Sequence, residues 1–248
     1  MRMLKTLQYK QYILRAYWSN RLKNAQECAI ELTSFLGSLE ELGPPFITWD
    51  YFNTKDKIER IPTDINGVRN QLLLPGNGAK RGVKPDEVMS AMGFNTLLFS
   101  AGKNSERITL SMNCGVQEVW PSNRCCIDLP SQGEIATQIL QPEPLKSLLE
   151  IVVKAWNPDW AVIDYFDHDD PDMRMDHIPV YWFVYLSEQR GQIPTVPSPS
   201  YVGHIEGHGN YVMITPEPFT RERPDHLEAA NQVKAILGQA GLLTSRPN

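Results

Sequence analysis

Between Asp164 and His177 the chain reads DYFDHDDPDMRMDH, a dense run of groups that could do chemistry. Asp164, Asp167, Asp169, Asp170, Asp172 and Asp176 supply carboxyls, His168 and His177 supply imidazoles, and Arg174 is the one base. Six acids less one base give −5, equal to the net charge of the whole chain. Three readings compete. Carboxylates and imidazoles bind divalent ions, so Asp167, His168, Asp169 and His177 could serve a metal-dependent hydrolase. The run lacks the EF-hand spacing and its glycine, which counts against that reading. It could be a solvated acidic loop. It could also be a docking surface for a basic partner, because complementary charge speeds encounter and sets specificity. Glu188 and Glu206 could extend such a surface.

The other candidates are thinner. His204 and His208 are four apart, a zinc spacing on a helix, but Gly203, Gly207 and Gly209 argue for a turn between strands. The Gly76–Gly82 run (GNGAKRG) superficially suggests a phosphate-binding loop, yet it lacks the GxxxxGK[ST] spacing. There is no GxSxG nucleophile motif. Cys28, Cys114, Cys125 and Cys126 show no CxxC spacing and read as reduced, buried packing residues. Glu40 and Glu41 read as a solvated helix end. No catalytic, cofactor-binding or metal-binding residue is assigned.

These side chains must be held by a body of 248 residues, 42% of them hydrophobic, which is enough for one cored domain over 1–248. The acidic balance disfavours a nucleic-acid partner, since phosphates call for a basic footprint. The first residues lack the apolar run of a signal peptide, and no stretch is long enough for a membrane helix. A soluble, cytoplasmic protein is expected.

Periodicity places the elements. Residues 9–19 read as a strand. Ala25, Cys28, Ala29, Leu32, Phe35, Leu36, Leu39 and Leu42 recur at three and four, so 24–42 is a helix, with Asn24 and Glu27 as a capping box. Residues 46–62 read as irregular. Helices are expected at 64–74, from Pro85 to Met92, from Pro142 or Pro144 to Trp156, and over 225–240. Strands are expected at 94–101, 106–112, 124–129, 160–166, 178–186 and 210–214. Strands fall in groups and do not alternate with helices. That predicts an α+β fold, a mostly antiparallel sheet flanked by helices, with a loose hint of two related halves.

Tyr17-Trp18, Arg21, Cys28-Ala29, Phe35-Leu36, Leu39 and Trp49 together resemble the N-terminal pattern of the immunity protein 52 family of bacterial polymorphic-toxin systems. The resemblance covers about 35 residues of mostly helix-core chemistry. It implies a protein that binds and neutralises a cognate secreted toxin, a type VI secretion effector of restriction-endonuclease-like type, without catalysis of its own. It locates no interface. Five of the six tryptophans, Trp49, Trp120, Trp156, Trp160 and Trp182, fall at element ends or in apolar runs, and an exposed one would make an interface anchor.

Overall fold

The Asn24 side chain accepts from the Glu27 backbone N–H at 2.9 Å, and the Glu27 carboxylate accepts from the Asn24 N–H at 2.8 Å. This reciprocal cap starts α1 (Ala25–Glu40), whose buried stripe is Ala25, Cys28, Ala29, Leu32, Phe35, Leu36 and Leu39. Asn24→Ala should cost about 1 kcal/mol and lower Tm by about 2–4 °C. Thermal denaturation followed by circular dichroism checks this, and an unshifted midpoint would mean the cap contributes nothing.

The structure, a computed structural model, describes residues 11–19, 21–55, 57–75, 77, 84, 86–88, 92–101, 106–117, 123–166 and 177–244. The helices are α1, α2 (Ile65–Leu72), α3 (Gly133–Ile139), α4 (Pro142–Trp156) and α5 (Pro224–Gln239). The strands are β1 (Gln11–Trp18), β2 (Trp49–Phe52), β3 (Ile58–Arg60), β4 (Phe94–Ser100), β5 (Thr109–Cys114), β6 (Asn123–Leu129), β7 (Trp160–Phe166), β8 (Phe183–Ser187), β9 (Tyr201–Ile205) and β10 (Gly209–Met213).

All ten strands join one sheet in the order β3-β2-β4-β5-β6-β1-β7-β8-β10-β9. Every neighbouring pair is antiparallel, as the grouping of strands predicts. Strand β1 sits inside the sheet, between β6 and β7, and alternates strictly. Tyr12, Leu14, Ala16 and Trp18 are buried, while Gln11, Ile13, Arg15 and Tyr17 are half-buried. The helical layer lies on the first set. α4 packs on β1, α1 packs on α2 and α4, and α3 on α4.

The second face differs along its width. One rung of register runs Leu97, Ser111, Cys126, Arg15, Val162, Val184, Val212, Val202 across eight strands. Val162, Val184 and Val212 are fully buried; Leu97 is 52% exposed. The face is therefore closed over β7, β8 and β10 and open at β4.

Four of the residues that carry the family resemblance, Tyr17, Trp18, Arg21 and Phe35, meet at the junction of α4 with β7. Trp18 stacks on Trp156 at 5.4 Å, and Phe35 meets the same ring edge-on at 5.4 Å. Tyr17 stacks on Trp160 at 4.5 Å. Arg21 donates to the carbonyls of Trp156 and Asn157, both at 2.6 Å, and so satisfies the open C-terminal end of α4. Asn157 takes the left-handed conformation there (φ 42°) and turns the chain into β7.

Several expectations need correction. Residues 46–62 are not irregular: they hold the β2–β3 hairpin, whose turn is tied by Asn53 Oδ1 accepting from the N–H groups of Lys55 and Lys57 at 2.9 and 3.0 Å. Strands of three and four residues are too short to show a period. Helix α3 has no counterpart among the expected elements, whereas β9 supplies the first strand of the glycine-rich hairpin. The 178–186 strand begins only at Phe183. The helix expected from Pro85 to Met92 fails at Val88, which forms a β-bridge to Asn24, so tertiary pairing overrides the local pattern; its Pro85 and 89–91 lie outside the described residues. So do Gly76 and 78–82 of the glycine-rich loop.

Candidate functional site

Asp164 lies on β7, two residues before that strand ends at Phe166, and is 2% exposed. Its carboxylate forms an ion pair with Arg15 of β1, one strand over. Burial works against the Arg15 charge, and the Asp164 and Tyr17 oxygens hold its pKa above the ordinary value. A carboxylate so enclosed cannot face a partner, and this corrects its place in the docking surface. Asp167, Asp169, Asp170, Asp172 and Asp176, with His168, lie outside the described residues. The remaining stretch, 167–177, still carries five acids and one base, or −4.

Glu188 and Glu206 are exposed and stand near one another. Glu188 opens a short 3-10 turn after β8, and Glu206 sits in the β9–β10 turn. The Glu188 N–H donates to the His208 carbonyl at 2.9 Å, which ties the two segments. They occupy the end of the sheet at Trp160, because Trp160 pairs with Leu186. Phe166, which leads into the acidic stretch, is at the other end of β7, about 20 Å away at the rise of a strand. The eight acids named from the sequence thus do not form one cluster: one is interior, two share one end of the sheet, and the chain enters the acidic stretch at the opposite end.

The histidine pair does not converge. His204 Nδ1 meets Asn210 Oδ1 at 3.0 Å, while His208 Nδ1 meets Asn157 Oδ1 at 3.2 Å. The glycine-rich segment is the β9–β10 hairpin, as its composition suggests. His177 is exposed and its backbone bridges Thr244.

One group of potential ligands comes together among the described residues: Glu217, Asp225 and His226. Its geometry is that of a loop clasp. The Thr220 N–H donates to His226 Nδ1 at 3.1 Å, so that nitrogen carries a lone pair and Nε2 carries the proton, directed at Glu217 at 3.2 Å. Arg223 pairs with Glu217 at 3.0 Å and with Asp225. Both imidazole nitrogens and both carboxylates are thereby engaged, and the 217–226 loop is locked to the start of α5. Sequence spacing gave no hint of this cluster.

Three of the four thiols are poor nucleophiles. All four cysteines are free, and burial pushes Cys114, Cys125 and Cys126 up from the ordinary thiol range.

Two surface regions remain. At β2, β3 and β4 the open face carries Phe52 (54% exposed), Ile58 (56%) and Leu97, with Phe99 beneath Phe52 at 5.0 Å and capped by the Arg107 guanidinium. On the helical side of the same edge is a cleft of about 480 Å³ between the end of α1 and the 47–63 segment. The sequence of 47–63 carries no periodicity that would reveal it, because its two strands are only four and three residues long. Among the described residues no helix is long and apolar enough to cross a membrane.

The family model described as immunity protein 52 matches residues 10–246. Among solved structures, the Pseudomonas aeruginosa T6SS protein PA0821 shares the fold, with a TM-score of 0.51 and 12% identity over 92% of this chain and 73% of that one. No curated protein sequence matches the chain significantly.

Proposed function

Because the chain belongs to the immunity protein 52 family, we propose that it neutralises a cognate secreted toxin by direct protein–protein contact, with no chemistry of its own. The family match over nearly the whole chain carries the reading. The finer features are inferred: a nuclease-type toxin delivered by a type VI secretion system, met in the cytoplasm of the producing cell, by a chain that acts as one domain over 1–248.

Charge supports a nuclease partner. A nuclease cleft must attract phosphate and is basic, and a chain of net charge −5 with −4 in residues 167–177 complements it. The Asp167–Asp176 carboxylates, with Glu188 and Glu206 as a second acidic patch, steer the encounter. A specific complex would bury about 1,200–2,000 Å² in total.

The test is co-expression and co-purification with the toxin encoded beside it, together with a growth-protection assay and a nuclease assay. A stable complex that abolishes cleavage is expected. Absence of any complex, or turnover of a substrate by this chain alone, would sink the reading.

Steering makes its own prediction. Reversing three charges together (Asp169→Lys, Asp170→Lys, Asp172→Lys) should slow association by about tenfold or more at low salt and flatten its salt dependence, with dissociation little changed. Stopped-flow or interferometric kinetics at two salt concentrations measure this. Unchanged kinetics would remove the 167–177 stretch from the encounter.

A further inference from the structure

Gly37 sits in the last full turn of α1, in right-handed helical backbone, so no dihedral requires glycine there. Among ordinary residues glycine is the least favourable in a helix. Packing does not require it either: a Cβ built at Gly37 would meet no atom within 4 Å. Within the chain the position is therefore unexplained, and what it leaves is room.

That room is part of the cleft at the β2–β3 edge. Leu36, Ile47, Trp49, Ile61 and Pro62 line it with Gly37, and Ile47 is 47% exposed. The rim is polar. Arg60 is held by Asp50 at 2.6 Å, so its charge is met within the chain. Glu40 lines the cleft and Glu41 follows it in the chain; both are exposed and have no ion-pair partner among the described residues. An apolar floor under an acidic rim is the form of a pocket for a partner's anchor side chain, where binding energy concentrates.

The cleft also lies on the correct end of the sheet. Register carries Trp49 to Ser100 and Asp50 to Phe99, Phe99 to Thr109, Thr109 to Asp128, and, one residue on, Leu129 to Tyr12 and Tyr12 to Tyr165. This is the end at which β7 stops at Phe166, ahead of the acidic sequence, and the end of β7 is five strand spacings or about 24 Å from β2. One partner of ordinary footprint spans that distance.

We infer that the cleft beneath Gly37 receives an apolar side chain of the toxin, flanked there by a basic residue that meets Glu40 and Glu41. The inference rests on the immunity reading above and names the anchoring point of that interface. Gly37→Leu fills the cleft from within the chain while improving helix propensity, so fold and binding should move in opposite directions.

The probe is the toxin encoded beside this chain, inactivated by an active-site substitution, with binding read by calorimetry and folding by thermal denaturation. Wild type is measured first; if it forms no complex, the immunity reading and the cleft fall together. Given a wild-type complex, Gly37→Leu should raise Tm by about 2 °C and weaken binding at least tenfold. Ile47→Asp, at an exposed position of the same wall, should weaken binding similarly at unchanged Tm, and it decides the matter if Gly37→Leu folds poorly. Wild-type affinity in Ile47→Asp overturns the cleft and leaves the immunity reading standing. A chain that dimerises alone, and is made monomeric by Gly37→Leu, assigns the cleft to a second copy and overturns the proposal.

Discussion

Asp164→Ala lowers the stability of the fold by about 3–5 kcal/mol at neutral pH. The carboxylate is nearly inaccessible, and its Arg15 partner has only 16% of its side chain exposed. Removing the anion leaves a mostly buried guanidinium without its ion-pair partner, with only the more distant Asp128 carboxylate to offset it, and arginine cannot escape by losing its proton. Asp164→Asn keeps the volume and loses only the charge, so it should retain most of the loss; this separates charge from cavity. Replacing both partners by apolar residues, Arg15→Met with Asp164→Leu, should recover most of it, because neither charge then remains to be desolvated. Urea denaturation of the three variants measures all of this. A cost under about 1 kcal/mol for Asp164→Ala would mean that the pair behaves as a solvated surface bridge.

This pair also assigns Asp164 a role different from that of its acidic neighbours in sequence. It fastens β7 to β1 just before the chain enters the 167–176 stretch. Nothing in the sequence marks Asp164 as interior, because its partner is 149 residues away and lies on a strand brought alongside by the fold. Composition groups it with Asp167 and Asp169. Geometry groups it with Arg15.

Local signals and nonlocal ones divide the rest of the molecule in the same way. Helix α1 was legible because seven buried positions repeat at the helical period and its cap is contained within four residues. The all-antiparallel pairing followed from strands arriving in groups. The β2–β3 hairpin was not legible, since three or four residues carry no period. The cleft was not legible for the same reason, because the hairpin forms one of its walls. The one local clue to it was a glycine inside an otherwise strong helix, where propensity and position disagree. The charge of the acids named as a docking surface could be read from the sequence, but the burial of Asp164 and the distance of Glu188 and Glu206 from the end of β7 at Phe166 could not, because both depend on how β1, β7 and β8 are brought together.

Trp156→Ala is the second large effect, about 3–5 kcal/mol. Its ring is stacked by Trp18 from β1 and met edge-on by Phe35 from α1, so this α4 side chain joins the sheet to both α1 and α4. Truncation removes a large buried aromatic and leaves a cavity bounded by a strand and a helix that cannot easily close it. Arg21 grips the backbone carbonyl of residue 156, not its ring, so the end of α4 should stay capped in the variant. The loss should therefore appear as a global fall in stability and not as fraying of α4, which hydrogen exchange distinguishes. Trp18→Ala removes the same stack from the other side. The double variant should then cost less than the two single losses added, by about 0.5–1.5 kcal/mol for the lost ring pair. Strictly additive losses in urea denaturation would show that the two rings contribute only their separate burial, and that the Tyr-Trp pair of the family pattern is not what couples β1 to α4.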